Sequence, residues 1–327
     1  MRKKKIITIL KTIIPLGLGF FLIWYSLNSA TPEQRNILWQ NIKAADTKWI
    51  WLSLTFGILS HISRAYRWKF MLEPMGYNPR FLNRFMAVMV AYLANLGIPR
   101  SGEVLRGATL TTYEKIPFEK AFGTIISERI ADFIMLMLVV AIAIILQSEN
   151  LLDYLESSNI NPLFTGGILL ILVLLLLLFL KIIQRSSNPF ITKVRNFFTG
   201  LLEGMRSILH MKHKIAFIAH TVFIWVMYVL MFGVIKFTIP EISAASFSVM
   251  LGAFVVGSFS ISATNGGIGV YPIAIGAFLV FFGFSKEASE AFGWIVWGSQ
   301  TLLVIVIGAL SFLFLPIFNR DREALHK

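Results

Sequence analysis

The chain has 327 residues, of which 56% are hydrophobic and 14% charged, with a mean hydropathy of +0.72; that balance belongs to integral membrane proteins and excludes an ordinary soluble enzyme. Its net charge of +13 sits in short basic segments beside apolar runs, where positive-inside loops and anionic lipid account for it, so nucleic acid is not an expected partner. With no cysteine, disulfides, thiolate catalysis and thiolate metal sites are ruled out.

Residues 1–5, MRKKK, form a basic cytoplasmic N-terminus, and Ile6 to Leu27 reads as a first span. It is a retained signal anchor, because Asn28 spoils a cleavage site after Ala30. Thr31-Pro32-Glu33-Gln34 then places a capping residue, a proline at the first helical position and a glutamine three after the cap. That pattern predicts a short amphipathic helix over 31–46 on the outer surface. Trp49 to Arg67 predicts a second span that ends in RAYRW, Arg64 to Trp68. There Arg64 and Arg67 are expected to snorkel while Trp68 anchors in the interface; alternatively the two arginines, three apart on one face, meet a lipid phosphate.

The next apolar run, Phe85 to Ala94, reaches only about 15 Å at the helical rise and breaks at NLGIPRSGEVLR, Asn95 to Arg106. Basic residues assigned to the cytoplasm flank it on both sides, so residues 81–117 are expected to form a re-entrant hairpin that turns near Gly97 to Gly102. Arg100, Glu103 and Arg106 lie at this break, where freed N–H groups also favour an anion. The span Ala121 to Leu146 contains SERIADF, with Glu128, Arg129 and Asp132 inside an apolar helix. Such charges are costly in lipid. The bland account pairs Arg129 with Asp132; the sharper one gives Arg129 a phosphate and leaves the acidic pair to attract a cation.

Gln147 to Leu163 carries three acids and no base, whereas Lys181 to Lys214 carries seven basic residues and one acid. The first is therefore outside and the second inside, across a span at Thr165 to Ile183. Residues 188–212 mix phenylalanines with arginines and read as a surface segment along the cytoplasmic face. Ile215 to Ile235 is the next span, followed by a second broken region over 243–284 that holds TNGGIGVYP. Its arms are either re-entrant halves or short spans. Here Asn265, Gly266 and Gly267 either make a glycine-permitted turn or touch a substrate head group. A last span, Phe292 to Leu315, leads to a cytoplasmic tail at 317–327.

The expected architecture is all-α: a polytopic membrane bundle in one domain, with about six full spans plus two opposed glycine-broken hairpins. Both termini are cytoplasmic. Non-helical backbone at membrane depth is tolerated only inside protein or beside a wet cavity, and paired breaks point to a transport site. His61 and His220 show no metal-ligand spacing, and no nucleotide loop, dinucleotide fingerprint or nucleophilic triad is present. Neither a metal nor a cofactor is expected.

RAYRW, NLGIPRSGEVLR, SERIADF and NGGIGVYP, in that order and spacing, resemble the membrane region of lysylphosphatidylglycerol synthases, a flippase-like family also found as stand-alone membrane proteins. The break reads PRSG where the family often has PGRAG, which keeps the arginine but alters its register. The resemblance implies a bundle in the bacterial inner (plasma) membrane that moves an aminoacylated or otherwise modified phospholipid between leaflets. Eleven residues follow Pro316, too few for the soluble aminoacyltransferase domain of two-domain members, so a synthase is not expected. In the translocase reading Arg100, Arg106 and Arg129 neutralise a phosphate, while Glu128 and Asp132 offset the arginines or hold a basic head group. Membrane phospholipids and their anionic head groups are the expected partners. Two other readings stay open: an intramembrane transferase on lipid-linked substrates, with Glu128 or Asp132 as general base, and a non-catalytic accessory protein.

Overall fold

The computed structural model describes Trp24, Asn28 and residues 31–98, 100–148, 211–264 and 266–324. The expected spans at Ile6 to Leu27 and Thr165 to Ile183, and the segment 188–212, lie outside them save for Trp24, Met211 and Lys212. Among the described residues the fold is helical and has no strand.

Helix α1, Pro32–Lys43, begins as its sequence predicts: Thr31 Oγ1 accepts from the Gln34 amide at 3.2 Å, and Gln34 Oε1 accepts from the Thr31 amide at 3.0 Å. It stops short of Asp46 because Asp46 caps the following helix, α2, Thr47–Leu72, by accepting from the Lys48 amide at 3.1 Å. The hydrogen bond from the Lys48 side chain holds the Asp46 carboxyl below its ordinary range. At 26 residues α2 is about 39 Å long, enough for a bilayer core. Its second half is polar and buried.

A helical hairpin follows, built from α3, Phe81–Gly97, and α4, Ser101–Glu114. The arms run antiparallel, since Arg80 and Asn83 at the start of α3 both bond to Glu114 at the end of α4. They approach closely because position 102 is glycine: a Cβ there would collide with the Ala91 carbonyl. At the turn Arg100 takes a left-handed backbone (φ 62°) and gives α4 no side-chain cap. Asn95 substitutes from the opposite arm, its Oδ1 accepting from the Gly102 amide at 2.8 Å.

Among the described residues three helices are long and apolar enough to cross a membrane: α5, Phe118–Leu146; α6, Lys214–Gly233, with its 3₁₀ continuation Val234–Thr238; and, after the short α7, Pro240–Ser243, the long α10, Lys286–Ala324, over Lys286–Arg320. Their outward faces carry large apolar side chains such as Ile144, Ile145, Phe312 and Leu313, as lipid contact requires. Between α7 and α10 a second antiparallel pair, α8 (Phe247–Ala263) and α9 (Val270–Phe281), turns through Gly266, Gly267 and Gly269, all at positive φ. The two turns meet. A Cβ on Gly266 would stand 2.7 Å from the Leu96 side chain of the first hairpin.

Helix α10 continues through Pro316, so the described part of the expected cytoplasmic tail at 317–327 is helical. Proline removes one intrahelical bond; three residues on, Asn319, 2% exposed, ties the helix down by donating to the Leu315 carbonyl at 2.7 Å and to Asn83 Oδ1 at 2.9 Å. The apolar core has two parts. Phe232, Phe254 and Phe292 centre one among α6, α8 and α10, and Trp68, Leu72, Ile125 and Phe217 centre the other among α2, α5 and α6.

Candidate functional site

Arg64 and Arg67 sit three apart on α2, and Glu128 and Asp132 four apart on α5, so each pair shares one helical face. Where α2 and α5 face each other, Arg64 Nη1 donates to Glu128 Oε1 at 2.5 Å and to Asp132 Oδ2 at 2.7 Å. Arg67 Nη2 reaches Asp132 Oδ1 at 3.0 Å and lies 3.1 Å from Glu128 Oε1. From α4, Arg106 forks onto Glu128, with Nη1 3.1 Å from Oε1 and Nη2 2.8 Å from Oε2, the planar two-point geometry that only guanidinium supplies. The Arg106 guanidinium also lies 3.8 Å over the Trp68 ring, and Trp68 Nε1 donates to Thr124 at 2.8 Å.

Arg64, Arg67 and Trp68 are 4%, 0% and 0% exposed, so they are interior residues and not the interfacial anchors expected from RAYRW. The expected Arg129–Asp132 pair is also replaced. Consecutive residues on a helix point about 100° apart, so Arg129 leaves the face that Glu128 and Asp132 share. It bonds instead to Glu103 Oε1 on α4 at 2.6 Å, at the cluster's half-open edge.

A cleft opens beside this pair, lined by Arg64, Val88, Ala91, Tyr92, Asn95, Glu103, Arg106, Ile125 and Arg129. Its volume is about 10 Å³, room for roughly one water molecule. The ion-pair cluster behind and beside it holds four guanidinium groups, from Arg64, Arg67, Arg106 and Arg129, and three carboxylates, from Glu103, Glu128 and Asp132. One positive charge is left over.

Of the other residues singled out from sequence, Arg100 is exposed at the first turn, outside the cluster. Gly266 and Gly267 form the second turn, against Leu96, which follows the cleft residue Asn95; the Gly266 carbonyl accepts from Trp297 Nε1 at 2.8 Å. Asn265 lies outside the described residues. His61 packs on the Tyr92 ring at 4.7 Å between centroids, and His220 bonds Ser63 at 2.8 Å. Among the described residues no three histidine or acidic groups are placed to hold a metal.

Sequence reasoning passed over Tyr92, Asn95, Thr221 and Tyr228. Thr221 accepts from Arg67 Nη1 at 2.8 Å, and Tyr228 accepts from Arg64 Nη2 at 3.1 Å. The available signal was spacing: Tyr92 and Asn95 are one turn apart just before the glycine break.

The family described as the lysylphosphatidylglycerol synthase TM region matches residues 12–317. A UPF0104 membrane protein of Methanocaldococcus jannaschii is 29% identical over 152 residues. The matched stretch is 45% of this chain and 45% of that protein, so just under half of each is covered. No solved structure matches the chain.

Proposed function

Because the chain belongs to the lysylphosphatidylglycerol synthase transmembrane-region family and is a multi-pass membrane protein, we propose that it moves a phospholipid between leaflets by neutralising the head-group phosphate in the arginine-rich cleft. The observation that carries this reading is the uncompensated guanidinium charge beside a cleft at the meeting of two hairpin turns. Phosphate is the anion in a membrane that suits a guanidinium fork. The site works in the bacterial inner membrane, with both hairpins re-entering from opposite sides and both chain termini in the cytoplasm, as the basic loops favour. Movement is downhill or coupled to an ion gradient.

The cleft is too small for a head group while Arg129 holds Glu103. Admission therefore requires Arg129 to leave that carboxylate and take the phosphate, an exchange of one anionic partner for another. The pair is suited to this because Arg129 is 48% and Glu103 20% exposed, whereas the ion pairs behind it are sealed.

The test is leaflet exchange of a labelled phospholipid in liposomes. The full chain should accelerate exchange over protein-free vesicles, and Arg129→Ala should lower the rate at least about tenfold, the worth of one hydrogen bond to a charged group. Equal rates with and without protein would overturn the reading.

A further inference from the structure

We infer that Tyr92 donates a neutral hydrogen bond to a phosphate oxyanion in the cleft, with Tyr228 setting the direction of that donation. The inference rests on the reading of the cleft as a phosphate site and adds a ligand of a different kind.

The argument is a count of protons. Tyr228 accepts from Arg64 Nη2 at 3.1 Å, and the Tyr92 and Tyr228 hydroxyl oxygens are 3.1 Å apart. A guanidinium only donates, and each phenol brings one proton. The contact between the tyrosines consumes one of those two protons. Among the described residues no other side-chain or backbone acceptor bonds either hydroxyl, so one proton remains to be given. Tyr92 lines the cleft and Tyr228 does not. The arrangement that satisfies both hydroxyls is a relay: Arg64 donates to Tyr228, Tyr228 to Tyr92, and Tyr92 into the cleft.

Such a relay selects an acceptor. With its oxygen already receiving the Tyr228 proton and a cationic arginine at the head of the chain, the Tyr92 hydroxyl is polarised as a donor. Three guanidinium groups and one carboxylate share the lining with it, so the ligand it meets there is an anion. Phosphate has more acceptor positions than the arginines fill, and a phenol fills one without adding charge. The Tyr92 ring is held for this by its tilted contact with the His61 ring, 4.7 Å between centroids.

Binding of short-chain phosphatidylglycerol and, separately, of inorganic phosphate to the detergent-purified full chain tests the inference by titration calorimetry, with melting temperature measured in parallel. Tyr92→Phe keeps the ring and should weaken the anion that binds by about tenfold, the value of a hydrogen bond to a charged acceptor, with the melting temperature unchanged. Tyr228→Phe leaves the Tyr92 hydroxyl in place and should weaken binding less, about threefold. Binding of the lipid alone identifies a head-group site, and binding of both ligands a general phosphate site; either supports the inference if Tyr92→Phe weakens it. Wild-type binding that Tyr92→Phe leaves unchanged overturns the inference and spares the translocase reading. A wild-type chain that binds neither ligand overturns both.

Discussion

Removing the Glu128 carboxylate would leave Arg106 buried without its carboxylate and Arg64 and Arg67 sharing Asp132 alone. Breaking a buried ion pair from one side costs about 3–5 kcal/mol, so Glu128→Ala should lose much of its folded population, read as a lowered melting temperature in detergent. Arg129→Ala should do the reverse. Its pair with Glu103 is half exposed and is worth about 0–1 kcal/mol, so the melting temperature should hold while lipid exchange falls. The same contrast weighs against Glu128 or Asp132 as a general base, since guanidinium donors already occupy both carboxylates. At this scale the sequence identified Arg64, Arg67, Arg106, Glu128 and Asp132 as chemically interesting. It did not reveal their partners, because Arg64 and Glu128 are 64 positions apart and periodicity shows which face a residue occupies, not what packs against it. That is also why Trp68 read as an interfacial anchor when it is core.

The two hairpins depend on a few glycines in different ways. Gly102→Ala drives a methyl into the Ala91 backbone carbonyl, which cannot swing aside, and should cost at least the 1–3 kcal/mol typical of overpacking. Gly266→Ala combines a positive φ of 63° with the Leu96 contact, and the left-handed backbone alone costs about 1–2 kcal/mol. Gly97→Ala meets nothing within 4 Å at a helical position and should be neutral or stabilising by up to about 1 kcal/mol. Melting temperatures of the three variants check the ordering. The breaks themselves were legible, since glycine and proline interrupt the apolar runs, and the observed turns fall where the sequence puts them. The Asn95 cap was not legible. It reaches across from the opposite arm, and only the folded pair brings residues 95 and 102 together.

At the scale of the molecule, α10 ties the two hairpins to one rod. Trp297 holds the Gly266 carbonyl, Gly308 lies against Leu93 and the Met89 carbonyl, and Asn319 bonds Asn83 at the foot of α3. Asn319→Ala leaves the buried Asn83 amide and Arg80 short of partners, at about 1–3 kcal/mol per unsatisfied group. The expected outcome is faster amide hydrogen exchange over residues 81–97 with α5 unaffected. The all-α architecture and the long apolar spans were readable from hydropathy, but a helix that carries on beyond Pro316 was not, because the bonds that sustain it join residues 236 positions apart. Gly308 stands eleven residues after Trp297 and eleven before Asn319, arms of about 16 Å each. A rod seated at its middle on the first hairpin and bonded at Trp297 and Asn319 sets the distance between the crest of one hairpin and the foot of the other.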